Sequence, residues 1–196
     1  TSLEAVLIGE EVRSLADGLS MQGVTRVHLV RHDRLHDYAP DAWAQSLSEV
    51  IESESPCALL AAGTDRGNEV AARVAARAGL PMAANCVAVR PATTSGHHHR
   101  GNYEVTRLRW GGSLLEDATL EEDPKLLTVA PHVIAAEEDH LTSELEINEV
   151  TPMLNDDDFR VQIADRVQPQ EGITLTNAPL VIGGGRGVGS ADGFAV

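Results

Sequence analysis

The sequence predicts an α/β fold: a parallel sheet flanked by helices in three αβα layers, with a β-rich hairpin region attached. Three observations carry this. Apolar strand-like runs alternate with helix-period segments three times through residue 81. Hydrophobic residues make up 42% of the 196 residues but aromatics only 3%, so the core is built from Ala, Val, Leu and Ile. Beyond Pro81 the pattern changes to two-residue alternation broken at Gly111 and Gly112.

In order, residues 3–8 read as a strand ending at Gly9. Residues 10–19 have helical spacing through Val12, Leu15, Ala16 and Leu19, with a stop at Gly23. Residues 24–30 form the next strand. Pro40 precedes a helix from Asp41 that puts Trp43, Leu47, Val50 and Ile51 on one face. After Pro56, residues 57–62 form a buried strand ending at Gly63. Residues 68–78 form a helix stopped by Gly79, with Pro81 just beyond. Connections of this length imply right-handed parallel crossovers. In the middle, residues 84–89 form a strand, 93–101 a loop, and 103–110 a half-exposed strand. Residues 114–118 and 125–129 are further strands. Residues 137–158 are strongly acidic, 159–167 alternate again, and 168–177 form a linker. A closing strand at Leu180, Val181 and Ile182 runs into a glycine-rich stretch, and Ser190 or Asp192 is placed to cap a helix there.

The formal net charge of −15 excludes a basic nucleic-acid surface. No apolar run approaches the roughly 20 residues of a membrane-spanning helix. Cys57 and Cys86 lie in apolar surroundings and read as unpaired thiols in a reducing compartment.

Several groups qualify as sites. The stretch from Gly183 to Ser190 either cradles an anion with free backbone N–H groups or is a glycine-rich turn serving the fold. Arg186 either supplies charge there or braces the loop. The segment from Thr64 to Asn68 follows a strand's carboxyl end, where α/β sheets bind ligands; its plainer role is helix capping through Asp65 or Asn68. His97, His98 and His99 are consecutive and project in different directions, so they read as a solvated loop. His28, His32 and His36 share no helical face and read as core or surface residues. The acidic run from Asp156 to Asp158 reads as a solvated surface or a face for a basic partner. No Gly-x-Ser-x-Gly elbow joins strand to helix.

Three stretches, in order, resemble the α subunit of electron-transfer flavoproteins, the FixB-type family. The first is Ala61-Ala62-Gly63-Thr64-Asp65-Arg66-Gly67 with the helix from Val70 to Pro81. The second is Val105-Thr106-Arg107, Trp110-Gly111-Gly112 and Leu127-Thr128-Val129-Ala130-Pro131. The third is Leu180-Val181-Ile182-Gly183-Gly184-Gly185-Arg186-Gly187-Val188-Gly189-Ser190. The resemblance covers most of the chain from Leu3. The chain departs from the family in having Trp110 for Tyr, Ala130 for Arg, Gly183 for Ser, and Arg66-Gly67-Asn68 for Gly-Arg-Asp.

The resemblance implies a nucleotide-hydrolase-like α/β domain over residues 1–175. Residues 176–196 would be a linker with the first strand and glycine loop of an FAD-binding domain. Gly184, Gly185, Arg186, Gly187 and Ser190 would then belong to the cofactor site, with FAD held chiefly by a domain beyond them. It also implies that a first β-α unit precedes Leu3, so that the chain is part of a longer protein. The implied partners are a β subunit, a flavin-containing dehydrogenase and a quinone oxidoreductase. The implied role is an electron carrier's scaffold with no catalytic acid, base or nucleophile, in the bacterial cytoplasm or mitochondrial matrix. The alternatives are an adenine-nucleotide-binding enzyme or sensor domain using the strand ends near Gly9, Gly63 and Thr64, and a pure interaction domain.

Overall fold

The structure, a computed structural model, describes residues 2–9, 12–92, 101–135, 145–165, 172–173, 175, 178 and 180–195. The chain divides into two compact units, Thr1–Ile163 and Ala164–Val196. In the first, the elements are β1 (Leu3–Ile8), α1 (Arg13–Ala16), β2 (Val24–Val30), α2 (Pro40–Glu54), β3 (Ala58–Ala62) and α3 (Asp65–Ala78). There follow β4 (Met82–Pro91), β5 (Tyr103–Arg109), β6 (Leu114–Leu120), β7 (Lys125–Val129) and β8 (Glu146–Val150).

The α/β expectation holds, but the strands form two sheets. One has the order β1-β2-β8, entirely parallel; the other has the order β3-β7-β4-β5-β6. In the second sheet β3-β7-β4 is parallel and β4-β5-β6 antiparallel, so the hairpin region is an extension of the α/β layer. The outer strands are β1 and β8 in the first sheet and β3 and β6 in the second, and their outer edges pair with no described strand. Parallel strands are normally covered on both faces. Here no residue of β1 or β3 is fully buried, and Leu60 of β3 is 61% exposed.

Helix α2 ties the layers together. Its Ala42 and Val50 join Val30, Val6, Ile8 and Val150 of the first sheet. Its Ala44, Leu47 and Ile51 join Val74 and Ala75 of α3 and Leu126 of β7. Pro40 starts this helix where a missing N–H costs nothing. In α3, Val70, Ala71, Val74 and Ala75 form the buried stripe, and Gly79 closes the helix in the left-handed conformation. On the other face of the first sheet, Ala16 of α1 packs on Val24, Val27 and Leu29.

Three expectations are corrected. In its described part, from Val12, the helix expected over 10–19 is reduced to α1 and a 3-10 turn, Ser20–Gln22, because Asp17 and Gly18 disfavour a helix interior; residues 10 and 11 lie outside the described residues. The expected strand at 159–167 does not form in its described part. Asn155 accepts from the Asp157 N–H, and Asp158 accepts from the Asn155 N–H, which winds Asp156–Phe159 into a capped 3-10 turn. Asp158 is therefore buried, 2.9 Å from Arg77, while Asp156 and Asp157 stay in solvent. Third, β8 lies inside the acidic stretch; its Ile147 and Val150 pack on the sheet while Glu146 and Glu149 face water.

The β5–β6 hairpin turns through Trp110, Gly111 and Gly112, all with positive φ (51°, 62° and 89°). Two glycines take this conformation freely. Trp110 does so against its Cβ and stands 82% exposed at the tip.

Candidate functional site

The expected cofactor residues Gly184, Gly185, Arg186, Gly187 and Ser190 lie in the second unit, all of them exposed. The expected strand before them does not form. Leu180, Val181 and Ile182 are 78%, 52% and 77% exposed and pair with no described strand. A strand has no stability without a neighbour to complete its hydrogen bonds. After them come two short 3-10 turns, Arg186–Val188 and Ala191–Phe194. Ser190 holds the extended N-cap position of the second but makes no side-chain cap bond.

The glycines of this loop fall into two groups, besides Gly189, which its φ of 71° requires. A Cβ on Gly184 would meet the Phe194 ring at 2.5 Å, and one on Gly193 would meet the Val188 carbonyl at 2.1 Å. These two are required by the loop's own packing. Gly183, Gly185 and Gly187 have nothing within 4 Å of a built Cβ. Their lack of a side chain serves nothing within the described residues, and it leaves the backbone open to close approach. Beside this open backbone stands Arg186, a fixed cation. The chemistry suits a phosphate or pyrophosphate, but these residues form one wall and not an enclosed pocket.

The strand ends of the second sheet are closed. At the end of β3, the Gly63 N–H donates to the Val129 carbonyl at 2.7 Å. A Cβ there would be 2.7 Å from both Asn85 Oδ1 and the Val129 oxygen. Asn85, held at a φ of 56°, donates its N–H to Thr128 Oγ1 at 2.8 Å. Thr128 Oγ1 donates to Asn68 Oδ1 at 2.7 Å, and Asn68 Nδ2 donates to Asn85 Oδ1 at 3.1 Å. The three side chains satisfy one another and fill the crevice where an α/β sheet would take a ligand. Helix capping falls to Thr64, whose Oγ1 accepts the Gly67 N–H at 3.2 Å. Asp65 sits in the first turn, and Asn68 turns inward.

A third constellation was invisible in the sequence. His28 on β2 is buried, with Nε2 2.8 Å from Glu4 Oε2 on β1 and Nδ1 3.3 Å from Asn148 Nδ2 on β8. The Asn148 amide donating to Nδ1 leaves the ring proton on Nε2, facing Glu4. Arg26, two residues earlier on the same face of β2, lies 3.0 Å from Glu146, 3.4 Å from Glu54 and 3.7 Å from Glu4. Ligand atoms of Glu4, His28 and Glu54 all lie within 4.8 Å of one another. His32 packs beside Phe159, while His97, His98 and His99 lie outside the described residues.

The hydrogen bond from His28 holds the Glu4 carboxyl below its ordinary pKa; burial opposes this, and Ser2 and Arg26 reinforce it. A carboxylate with a depressed folded pKa stabilises fully above its unfolded pKa of about 4.3, and the contribution is lost as pH falls through the folded value. Stability therefore falls on acidification, and Glu4→Gln is expected to flatten that fall. Urea midpoints of both proteins between about pH 3 and pH 6 check it; parallel curves would remove Glu4 from the acid response.

Comparison with known proteins finds that the sequence profile of the electron transfer flavoprotein domain matches residues 1–154. The chain is 30% identical over 191 residues to electron transfer flavoprotein subunit alpha of Bacillus subtilis (strain 168), covering 96% of this chain and 56% of that protein. It is 28% identical over 194 residues to the subunit of that name in Mycobacterium leprae (strain TN), with coverages of 98% and 58%. It is 30% identical over 200 residues to protein FixB of Bradyrhizobium diazoefficiens, with coverages of 98% and 52%. The chain spans about half the length of the curated relatives it matches.

Proposed function

The chain belongs to the electron transfer flavoprotein domain family, and from that premise we propose that it is the N-terminal scaffold of an α-type subunit that pairs with a β subunit and carries electrons between flavin and quinone enzymes. Electrons enter from a flavin-containing dehydrogenase and leave to a quinone oxidoreductase, in the bacterial cytoplasm or mitochondrial matrix. Residues 1–175 act as the α/β platform, and 176–196 open the flavin-binding part. The observation that carries this reading is the loop at Gly183, Gly185 and Gly187, whose missing side chains answer to no described residue. Gly184, Gly185, Arg186, Gly187 and Ser190 would line the phosphate side of FAD, and the remaining walls come from residues beyond Val196. FAD supplies the redox chemistry when bound; the residues here supply a close backbone and a positive charge.

The open edges of β1 and β3 support a longer protein. Both are parallel outer strands with half-exposed apolar side chains and no described partner on the outer side, which one further parallel strand would supply. We assign that strand to a segment preceding Thr1. Of the strand ends named for the adenine-nucleotide reading, the one at Gly63 is filled by Asn68, Asn85 and Thr128, which leaves that reading only the end near Gly9.

The test is co-expression of the full-length subunit with its β partner, followed by size-exclusion chromatography and an absorption spectrum. One flavin spectrum per heterodimer is expected. A heterodimer that elutes intact without flavin, and takes up none from added FAD, would overturn the assignment.

A further inference from the structure

The parallel strands bring three metal-ligating side chains together at the Glu4 end of the first sheet. We propose that Glu4, His28 and Glu54 bind one divalent transition-metal ion of the zinc class. The ligands come from three elements: β1, β2 and the last turn of α2. Their ligand atoms lie within 4.8 Å of one another, close enough for small side-chain rotations of the two glutamates to bring all three onto one ion. One imidazole nitrogen with two carboxylates suits zinc, manganese or cobalt; magnesium and calcium prefer oxygen ligands alone.

Two further observations favour an ion over a purely structural ion pair. The first is the charge balance. Three carboxylates, Glu4, Glu54 and Glu146, face Arg26, the one permanent cation paired with them among the described residues. Arg26 commits most closely to Glu146, reaches Glu54 and Glu4 only at 3.4 and 3.7 Å, and leaves its own Nε without a partner. The two carboxylates nearest His28 are thus under-neutralised. Besides these groups, the Ser2 hydroxyl lies 3.2 Å from Glu4 and the Ser53 hydroxyl donates to Glu54 at 2.9 Å; neither brings a charge. The second is the orientation of His28. A ligating histidine is held at its other nitrogen by an outer partner; Asn148 stands at Nδ1 with its NH2 group, so ligation through Nε2 requires that amide to turn over and present its oxygen. On binding, the ring carries its hydrogen at Nδ1, where the turned Asn148 carbonyl accepts it.

Access and burial agree with this. The His28 side chain is 2% exposed, whereas those of Glu4 and Glu54 are 27% and 28% exposed. The ion enters from the carboxylate side and keeps a water on the open side.

The experiment uses the full-length protein, stripped with a chelator and titrated calorimetrically with zinc chloride, then with magnesium chloride. One saturable zinc per chain is expected, without magnesium binding at the same concentrations. Glu54→Gln, at a helix end where folding tolerates it, is expected to weaken zinc at least about tenfold. Glu4→Gln is expected to do the same, with circular dichroism and urea midpoints reporting the fold of each variant. Cobalt(II) gives a second readout: a visible band that saturates at one equivalent and is lost in Glu54→Gln. Absence of saturable zinc binding, or equal binding by wild type and Glu54→Gln, would overturn the proposal.

Discussion

Gly67→Ala is expected to lower stability by about 2–3 kcal/mol, although alanine is the better helix former by about 1 kcal/mol. Gly67 lies in the first turn of α3, directly over the end of β3. A Cβ built there falls 1.9 Å from the Ala62 carbonyl oxygen and 3.3 Å from Thr64 Oγ1. The first neighbour is backbone, fixed in the ladder with β7, and cannot swing aside as a flexible side chain would. Relieving the clash means lifting the helix from the strand, which opens the interface that Val70, Val74 and Leu126 fill. Overpacking of this kind costs about 1–3 kcal/mol and occasionally more, which outweighs the propensity gain. Urea unfolding measures the balance. A midpoint at or above wild type would show that propensity wins and that helix and strand are not packed this tightly.

Asp123→Asn is expected to cost about 3 kcal/mol, while Lys125→Met stays within about 1 kcal/mol of wild type. The Lys125 side chain is completely buried at the start of β7. Its ammonium pairs with the Asp123 carboxylate, donates to the Glu121 carbonyl at 3.3 Å, and sits 5.6 Å from the Tyr103 ring. Neutralising Asp123 leaves a charge in the interior with only a carbonyl and a ring face for company. Asp123 is itself 31% exposed, which places the loss at the lower end for a broken buried pair. Methionine at 125 removes the charge together with its need for a partner and keeps most of the volume. Equal losses in the two variants would mean that the pair stabilises the fold by mutual attraction. The expected asymmetry means that the cost lies in abandoning one member.

Most of the fold was legible because it rests on local signals. Gly9, Gly23, Gly63 and Gly79 punctuate strands and helices, and Pro40 and Pro81 stand beside helix ends, so the order β-α-β-α-β-α was readable from periodicity. Pairing was less legible, since it depends on residues far apart: nothing in the run Lys-Leu-Leu-Thr-Val says that β7 inserts between β3 and β4. Strand β8 was hidden because Glu146 and Glu149 raised the charge of a segment whose apolar residues are only Ile147 and Val150. Asp158 resembled its solvated neighbours until the capped turn and Arg77 enclosed it. At the sites, the glycine loop announced itself through composition. The Glu4, His28 and Glu54 group could not, because its members lie on three separate elements and only strand register and the end of α2 bring them together.

Trp110, on its left-handed turn in open water, has a spectroscopic consequence. The protein has two tryptophans, and the other, Trp43, packs edge-on against Tyr38 with ring centroids 5.1 Å apart. Intrinsic fluorescence therefore contains two separable voices. Trp110 emits from a water-relaxed environment and meets a dissolved quencher first, while Trp43 reports whether α2 is seated. A molecule that settles on the hairpin tip silences the quencher at Trp110 alone, and a loosening of the core changes Trp43 alone. The chain thus carries one optical reporter for its surface and another for its interior, with no label added.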